Sequence, residues 1–451
     1  MLYQPIRLND ATPTVGMPEL VGAFSYALDI TEGQPEGHSV RCAWIGGKIA
    51  ERIGLSSAER DDLHYALLLK DLGCSSNAAR ICELYEADDL AFKRGYKTIG
   101  TSLAATLHFV FARTARGASF GHRAKAIGNI LHNGREFAQE MILSRCTRGA
   151  DIARALGFSE AVCAGIYHLD EHWDGSGRPA GLTSQAIPLY SRIALVAQVA
   201  DVFQVEFGRD AAIAEVQRRS GSWLDPDVVA AFETIARSEG LWLGLKSASL
   251  DAVLAAQAQA GDQRPVDEDF LDALAAAFGE VVDAKSPYTS GHSRRVAAYT
   301  GQIAARLGVP AARLRWLHRG ALLHDIGKLG VSNAILDKPS KLDEREWAVM
   351  RDHAAHTQNI LGRVGVLRDL APVAAAHHER LDGQGYPLGL SGEAISLETR
   401  IITICDFYDA LTADRPYRAA MPVDVALSVI EGEVGKAVDA SCYDALRAMV
   451  K

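Results

Sequence analysis

Apolar positions along this chain recur three and four residues apart far more often than two apart. In VAAYTGQIAARLG, Val296, Tyr299, Ile303 and Leu307 share one stripe, and Gly308 follows where a helix would end. RLRWLHRGALLHDIG carries a similar stripe through Leu314, Leu317, Ala321 and Leu322. The alternation expected of a half-buried strand is nearly absent. The pattern predicts an all-α protein made of amphipathic helices.

The same helices are written twice, in order. GHSVRCAWIGGKIA from Gly37 returns as GHSRRVAAYTGQIA from Gly291, and LHYALLLKDLG from Leu63 returns as LHRGALLHDIG from Leu317, both at an offset of 254 residues. WDGSGRPAGLTSQAIPLYSRI from Trp173 matches LDGQGYPLGLSGEAISLETRI from Leu381 at an offset of 208, so the first copy holds about 46 extra residues between Asp71 and Trp173. A fourth pair joins GSWLDPDVVAAF from Gly221 to GKAVDASCYDAL from Gly435. We therefore expect two tandem helical domains: 1–235 with an insertion at about 72–143, a helical linker over 236–264, and 265–451.

Composition narrows the class. A chain of 451 residues, 48% hydrophobic and 23% charged, suits two globular cores. Its formal charge of −9 argues against a nucleic-acid polymer as partner. No apolar run reaches the ~18 residues that span a bilayer, and MLYQPIRLND lacks the basic start and apolar run of a signal peptide. Seven scattered cysteines suggest reduced thiols rather than a disulfide framework or a zinc motif. A cytoplasmic protein with no membrane partner is expected.

Five segments of the second half concentrate metal-ligand residue types: His292 in GHS, His324 and Asp325 in HDIGK, His353 in MRDHAAH, His377 and His378 in HHERLDGQGYP, and Asp406 in ICDFYDA. Imidazoles with carboxylates and no thiolate suit iron or manganese. A carboxylate can bridge two cations, which makes Asp325 the natural shared ligand, and two ions ~3.5–4 Å apart can clamp a phosphate and activate water. Lys328 lies a short helical step from Asp325 and can offset charge on a phosphate oxygen. Each histidine alone would more often be a packed or solvated residue, as His318 is expected to be, and His356 competes with His353. The joint occurrence in order carries the weight.

HDIGK, HHERLDGQGYP and DFYDALTADRPYR together resemble the HD-GYP subfamily of HD-domain phosphohydrolases, over about Asp283 to Tyr417. The resemblance implies an all-helical fold, two or three metal ions, and hydrolysis of a bacterial cyclic dinucleotide, usually cyclic di-GMP. It makes His292, His324, Asp325, His353, His377, His378 and Asp406 metal ligands, and Lys328 a catalytic phosphate contact. Arg415 and Arg418 become the basic positions that hold substrate phosphates, which suits a guanidinium fork. Tyr386 and Pro387 are expected to shape the loop or face a partner. Some members have a glutamate four residues before the first histidine; here Tyr288 stands there, and a phenol of pKa near ~10 is a poor substitute. Two ions per chain, iron or manganese, are expected.

The first half keeps His38 opposite His292 and Asp71 opposite Asp325, but Lys70 replaces His324, Cys74 replaces Lys328 and Gln198 replaces Asp406. Ungapped alignment sets Leu169 and Asp170 opposite His377 and His378; a one-residue shift would bring in His168 instead. The place of His353 falls near Ser144 to Cys146. This half is expected to be non-catalytic, regulatory or dimerising, with the Lys70 ammonium standing where a metal would be. Its insertion holds Lys93, Arg94, Lys97, Arg113, Arg116, Arg123, Lys125 and Arg135 with no acid between Phe92 and Arg135. That stretch suits either a solvated helical surface or a site for an anionic ligand or acidic partner.

The resulting expectation is a metal-dependent phosphodiesterase of a cyclic dinucleotide. Alternatives are a substrate such as cyclic GMP-AMP or a linear dinucleotide, or a non-catalytic nucleotide-binding module. A homodimer or a signalling-protein partner is compatible with either.

Overall fold

Helices begin in the computed structural model where a side chain satisfies their free N–H groups. Asp267 opens Glu268–Asp283 by accepting from Phe270 N at 2.8 Å. Asp343 and Glu346 form a reciprocal capping box at the head of Glu344–Gly362, and Ser396 opens Leu397–Thr412. His292–Arg306 starts differently. Gly291 turns left-handed at φ 70°, a conformation glycine adopts without strain, and so delivers His292 as the first helical residue.

The structure describes residues 16–100, 102–259, 266–416 and 418–450. Among these residues there are isolated bridges but no β-strand, so the fold is all-α as expected. They divide into two compact units between Val266 and Asp267. No helix among them is long and apolar enough to cross a membrane.

In the second unit, His292–Arg306 packs on both Ala311–Leu323 and Leu397–Thr412, and Glu344–Gly362 packs on the 3-10 turn Ile326–Gly330. Phe278, Val296, Ile303, Leu317, Leu323 and Ile404 are fully buried there. Each side chain so buried contributes about 1.5–3 kcal/mol, which holds rigid the helices that carry the candidate ligands.

The first unit repeats this plan: His38–Ile53 packs on Ser57–Leu68 and on Leu189–Phe207. Its extra residues fold as Ala78–Tyr85, Asp89–Tyr96, Leu103–Arg113 and the exposed start of Phe120–Ala155. They form a small core of Ile81, Phe92 and Phe109, where Tyr85 stacks on Phe92 at 4.2 Å. Two of the eight insertion cations face inward. Lys93 donates to Cys74 O at 2.7 Å, and Lys97 lies 2.8 Å from the buried Glu32 carboxylate.

The expected linker needs correction. Its described residues form Glu239–Leu245 and Leu250–Gln259, which pack on the first unit's own helices. Leu241, Trp242, Leu245, Leu250 and Leu254 are buried, and Trp44 Nε1 donates to Leu241 O at 3.0 Å. An apolar face this rich is covered, and here the first unit covers it. Residues 260–265 lie outside the described set.

Candidate metal centre

The turn after Ala311–Leu323 sets the centre. A Cβ on Gly327 would stand 1.9 Å from His353 O and 2.7 Å from Thr357 N, so only glycine lets this turn meet the helix Glu344–Gly362. Thr357 Oγ1 locks the contact, accepting from Gly327 N and donating to His324 O, both at 3.0 Å. His324, Asp325 and Lys328 on the turn are thereby placed beside His353 on the helix.

All seven expected ligands come together in two groups. Asp325, His353, His377 and His378 form one; His292, His324 and Asp406 form the other. Asp325 stands between them. Its Oδ2 lies 3.4 Å from both His292 Nε2 and His324 Nε2, while its Oδ1 lies 3.6 Å from His377 Nε2 and 3.7 Å from His353 Nε2. Asp406 Oδ1 is 3.4 Å from His292 Nε2. These separations suit donors sharing an ion, whose bonds to nitrogen and oxygen run about 2.0–2.2 Å, better than direct hydrogen bonds.

The outer nitrogen of four of these rings is held. Nδ1 meets Ala321 O at 2.7 Å in His324, Met350 O at 2.5 Å in His353, and Ala374 O at 2.7 Å in His377. A carbonyl only accepts, so Nδ1 carries the proton and the Nε2 lone pair faces inward. His292 Nδ1 pairs instead with Asp409 at 2.7 Å. The inward Nε2 atoms of His292, His324, His353 and His377, with Asp325 Oδ1, are buried and have no hydrogen-bond partner. Buried polar atoms are rarely left so, and a cation would satisfy them all. The residues present therefore fit a metal site.

Electrostatics point the same way. Burial pushes His353 down to about 3 and His378 well below its ordinary value, so both rings stay neutral. Burial would raise the carboxyl of Asp325, but Lys328 and the surrounding histidines outweigh it and hold the group ionised. Asp406 is likewise held low, against burial, by the neighbouring imidazoles of His324 and His292. Burial also opposes charge on His292, yet the carboxylates of Asp325, Asp409 and Asp406 draw it up to about 9.

Asp409 was not anticipated. It is buried and accepts from both His292 and Arg295, whose Nε lies 2.6 Å away. The repeat held a signal, since the first half pairs Asp201 with His38 at 2.7 Å and with Arg41 at 2.6 Å. His356 and His318 lie outside both ligand groups, and Tyr288 is 37% exposed. Tyr386 sets its ring 4.8 Å from that of His378.

The two arginines part company. Arg418 donates to Ala410 O and Ala419 O at 2.7 Å and to Leu411 O at 3.0 Å. Two of these carbonyls lie at the end of Leu397–Thr412, so Arg418, expected as a phosphate contact, is also tied to the end of this helix. Arg415 has no polar side-chain partner among the described residues and is the one free to meet an anion.

In the first unit the supports remain, but of the seven ligand positions only those of His292 and Asp325 keep their residue types, as His38 and Asp71. Gly73 packs on Arg145 O and Gly149 N as Gly327 packs on His353 O and Thr357 N, which sets Arg145 opposite His353. Glu171 accepts from Ala180 N and Leu182 N as Glu379 does from Leu388 N and Leu390 N. The ungapped register thus holds, and Leu169 and Asp170 stand opposite His377 and His378. Arg145 pairs with Asp170, and Lys70 pairs with Asp71 while lying 3.1 Å from His38 Nε2. Two smaller groups of ligand-type residues occur here, His38–Cys42–Asp201 and Glu32–Asp71–Cys74. Each already holds a side-chain cation, and burial pushes both thiols up, away from the thiolate a metal needs.

Comparison with known proteins agrees with this architecture. The HD domain family matches residues 124–228 and 277–442, a segment in each half. The 3′3′-cGAMP-specific phosphodiesterase 3 of Vibrio cholerae is 52% identical over 440 residues, covering 98% of this chain and 96% of the relative. A cyclic di-GMP phosphodiesterase response regulator of Xanthomonas campestris is 40% identical over 165 residues, 35% of this chain and 42% of the relative. The crystal structure of a cyclic GMP-AMP-specific phosphodiesterase of V. cholerae superimposes with a TM-score of 0.65 at 47% identity, covering 96% of this chain and 97% of that one. The chain belongs to the HD-domain family of metal-dependent phosphohydrolases, in its HD-GYP branch.

Proposed function

We propose that the second unit holds two transition-metal ions, iron or manganese before zinc, and hydrolyses a cyclic dinucleotide, with 3′3′-cGAMP preferred. Asp325 carries this proposal: each of its carboxylate oxygens faces a different group of histidines whose inward nitrogens lack a protein partner. Nitrogen and oxygen donors without thiolate suit iron or manganese. Such ions, held by these residues, would supply Lewis acidity toward a phosphate and lower the pKa of water so that hydroxide is available as nucleophile near neutral pH.

The chain's own groups do the rest. The backbone carbonyls and Asp409 aim the imidazoles, and the ionised Asp325 and Asp406 supply the negative charge that cations need. Lys328, paired with Asp325, brings an ammonium to the side where phosphate oxygens gain charge. Arg415, whose guanidinium has no polar partner among the described residues, is the outer phosphate contact. We take the first unit to be non-catalytic, with Lys70 and Arg145 in place of cations. Seven free cysteines are in keeping with a cytoplasmic setting.

The motifs alone rank cyclic di-GMP ahead of cyclic GMP-AMP. The cGAMP-specific relative matches both halves of this chain, whereas the cyclic di-GMP relative matches about a third of it, so the order is reversed. The test is to load the full chain with manganese or ferrous iron and follow product formation from both dinucleotides. Faster turnover of 3′3′-cGAMP and two ions by elemental analysis are expected. A third ion, an ion bound beside Asp71, or no turnover of either dinucleotide would overturn the proposal.

A further inference from the structure

Beside the metal centre lies a group of side chains, Tyr386 of the HHERLDGQGYP motif among them, that the ligand assignment does not use. Tyr386 packs against two candidate ligands, with its ring 4.8 Å from His378 and 6.2 Å from His353. The Arg351 guanidinium lies 5.6 Å from the centre of that ring and 5.8 Å from the centre of the Trp347 ring. Trp347 and Arg351 are one helical turn apart on Glu344–Gly362, the helix that also carries His353. The three groups form a chain of flat surfaces from the ligands outward, and Trp347, though large and apolar, is 44% exposed at its end. Trp316, the second unit's other tryptophan, is 9% exposed and covered by Arg313 at 3.6 Å.

The repeat supplies an internal control. In the ungapped register Gln139 stands opposite Trp347, Leu143 opposite Arg351 and Arg178 opposite Tyr386. The segment of Tyr386 keeps the residues that build its loop: Glu171 for Glu379, and Gly177 for Gly385, each glycine at a site where a Cβ would strike backbone. Tyr386 is thus replaced together with His377 and His378 while the loop around it is kept, as a role toward the molecule processed at the metal centre requires. Trp347 and Arg351 are replaced together with His353, on the one helix.

We infer that Trp347 and Arg351, backed by Tyr386, form a stacking shelf for one purine base of the cyclic dinucleotide, beside the phosphodiester held at the metal centre. This rests on the proposed dinucleotide substrate. Purines stack on indole and guanidinium planes whatever their edge groups, so the shelf fixes position and does not choose between guanine and adenine. Trp347 and Arg351 are positioning residues in this scheme.

The test is steady-state kinetics on the full, metal-loaded chain with 3′3′-cGAMP and cyclic di-GMP. Trp347→Ala and Arg351→Ala are each expected to raise KM about ten-fold for both dinucleotides, with kcat within about two-fold of wild type. Metal content and thermal stability should be unchanged, and Trp347→Phe should recover most of the affinity. Unchanged KM in Trp347→Ala would overturn the shelf, as would a parallel loss of kcat and metal that Trp347→Phe does not rescue. Wild-type protein that turns over neither dinucleotide would instead remove the substrate on which the inference rests.

Discussion

Asp409→Asn tests whether the histidine centre is held in the way its geometry indicates. Asp409 is 1% exposed, with Oδ2 2.7 Å from His292 Nδ1 and Oδ1 2.6 Å from Arg295 Nε. Asparagine keeps one acceptor oxygen, so His292 and Arg295 compete for it, and the imidazole loses its anionic partner. Removing such a support costs about 10- to 100-fold in metal affinity, or about 1.4–2.7 kcal/mol. The effect should be confined to the ion held by His292, His324 and Asp406, because the other group has no contact with Asp409. The assay is elemental analysis after dialysis against graded chelator, followed by activity with excess manganese restored. One ion should leave at a lower chelator concentration than in wild type while the second is retained, and excess manganese should recover much of the turnover. Loss of both ions in step, or no change in either, would refute the tautomer argument on which the ligand assignment depends.

Asp325→Ala removes the carboxylate shared by both groups and is expected to lower turnover by three orders of magnitude or more, roughly the loss of a whole metal contribution, whereas Asp71→Ala leaves kcat near wild type; the reverse pattern in folded proteins would exchange the roles of the two halves. Arg415→Ala should raise KM with metal content intact, while Arg418→Ala should leave KM near wild type and lower the melting temperature, since three side-chain hydrogen bonds to backbone carbonyls are lost. Acid should weaken the first unit. His38, through burial and then Lys70, and His64 and His172, through burial, are each held at about 4, so the unfolded chain takes up protons below its ordinary 6.5 that the folded unit refuses. Asp29, raised to about 6 by burial, opposes this by gaining one proton on folding. Three protons against one leave a loss of about 2.7 kcal/mol per pH unit between pH 6 and 4. Urea midpoints measured across that window check the sign, and a rise on acidification would be the wrong one.

Much of this molecule was legible along the chain because its signals are local. Helical period lies within a dozen residues, and the tandem copies show as matched segments in order. The ligand types were visible for the same reason: histidine and aspartate at HDIGK or HHERLDG declare a chemistry without declaring a contact. Contacts were not legible. His292 meets Asp409 across 117 residues, and nothing near either residue announces the other. Whether His353 or His356 turned inward depended on which face of Glu344–Gly362 met the turn at Gly327. The register at Leu169 depended on where Glu171 found its backbone donors. Arg418 reads as a phosphate contact by type and place, and only the fold shows that Ala410 O and Leu411 O, at the end of Leu397–Thr412, lie within its reach. The helices after Ala236 carried an apolar face whose partner only the packed first unit could supply. In each case the side chain's type is set by one position, but its role is set by the groups that folding brings within a few ångströms of it.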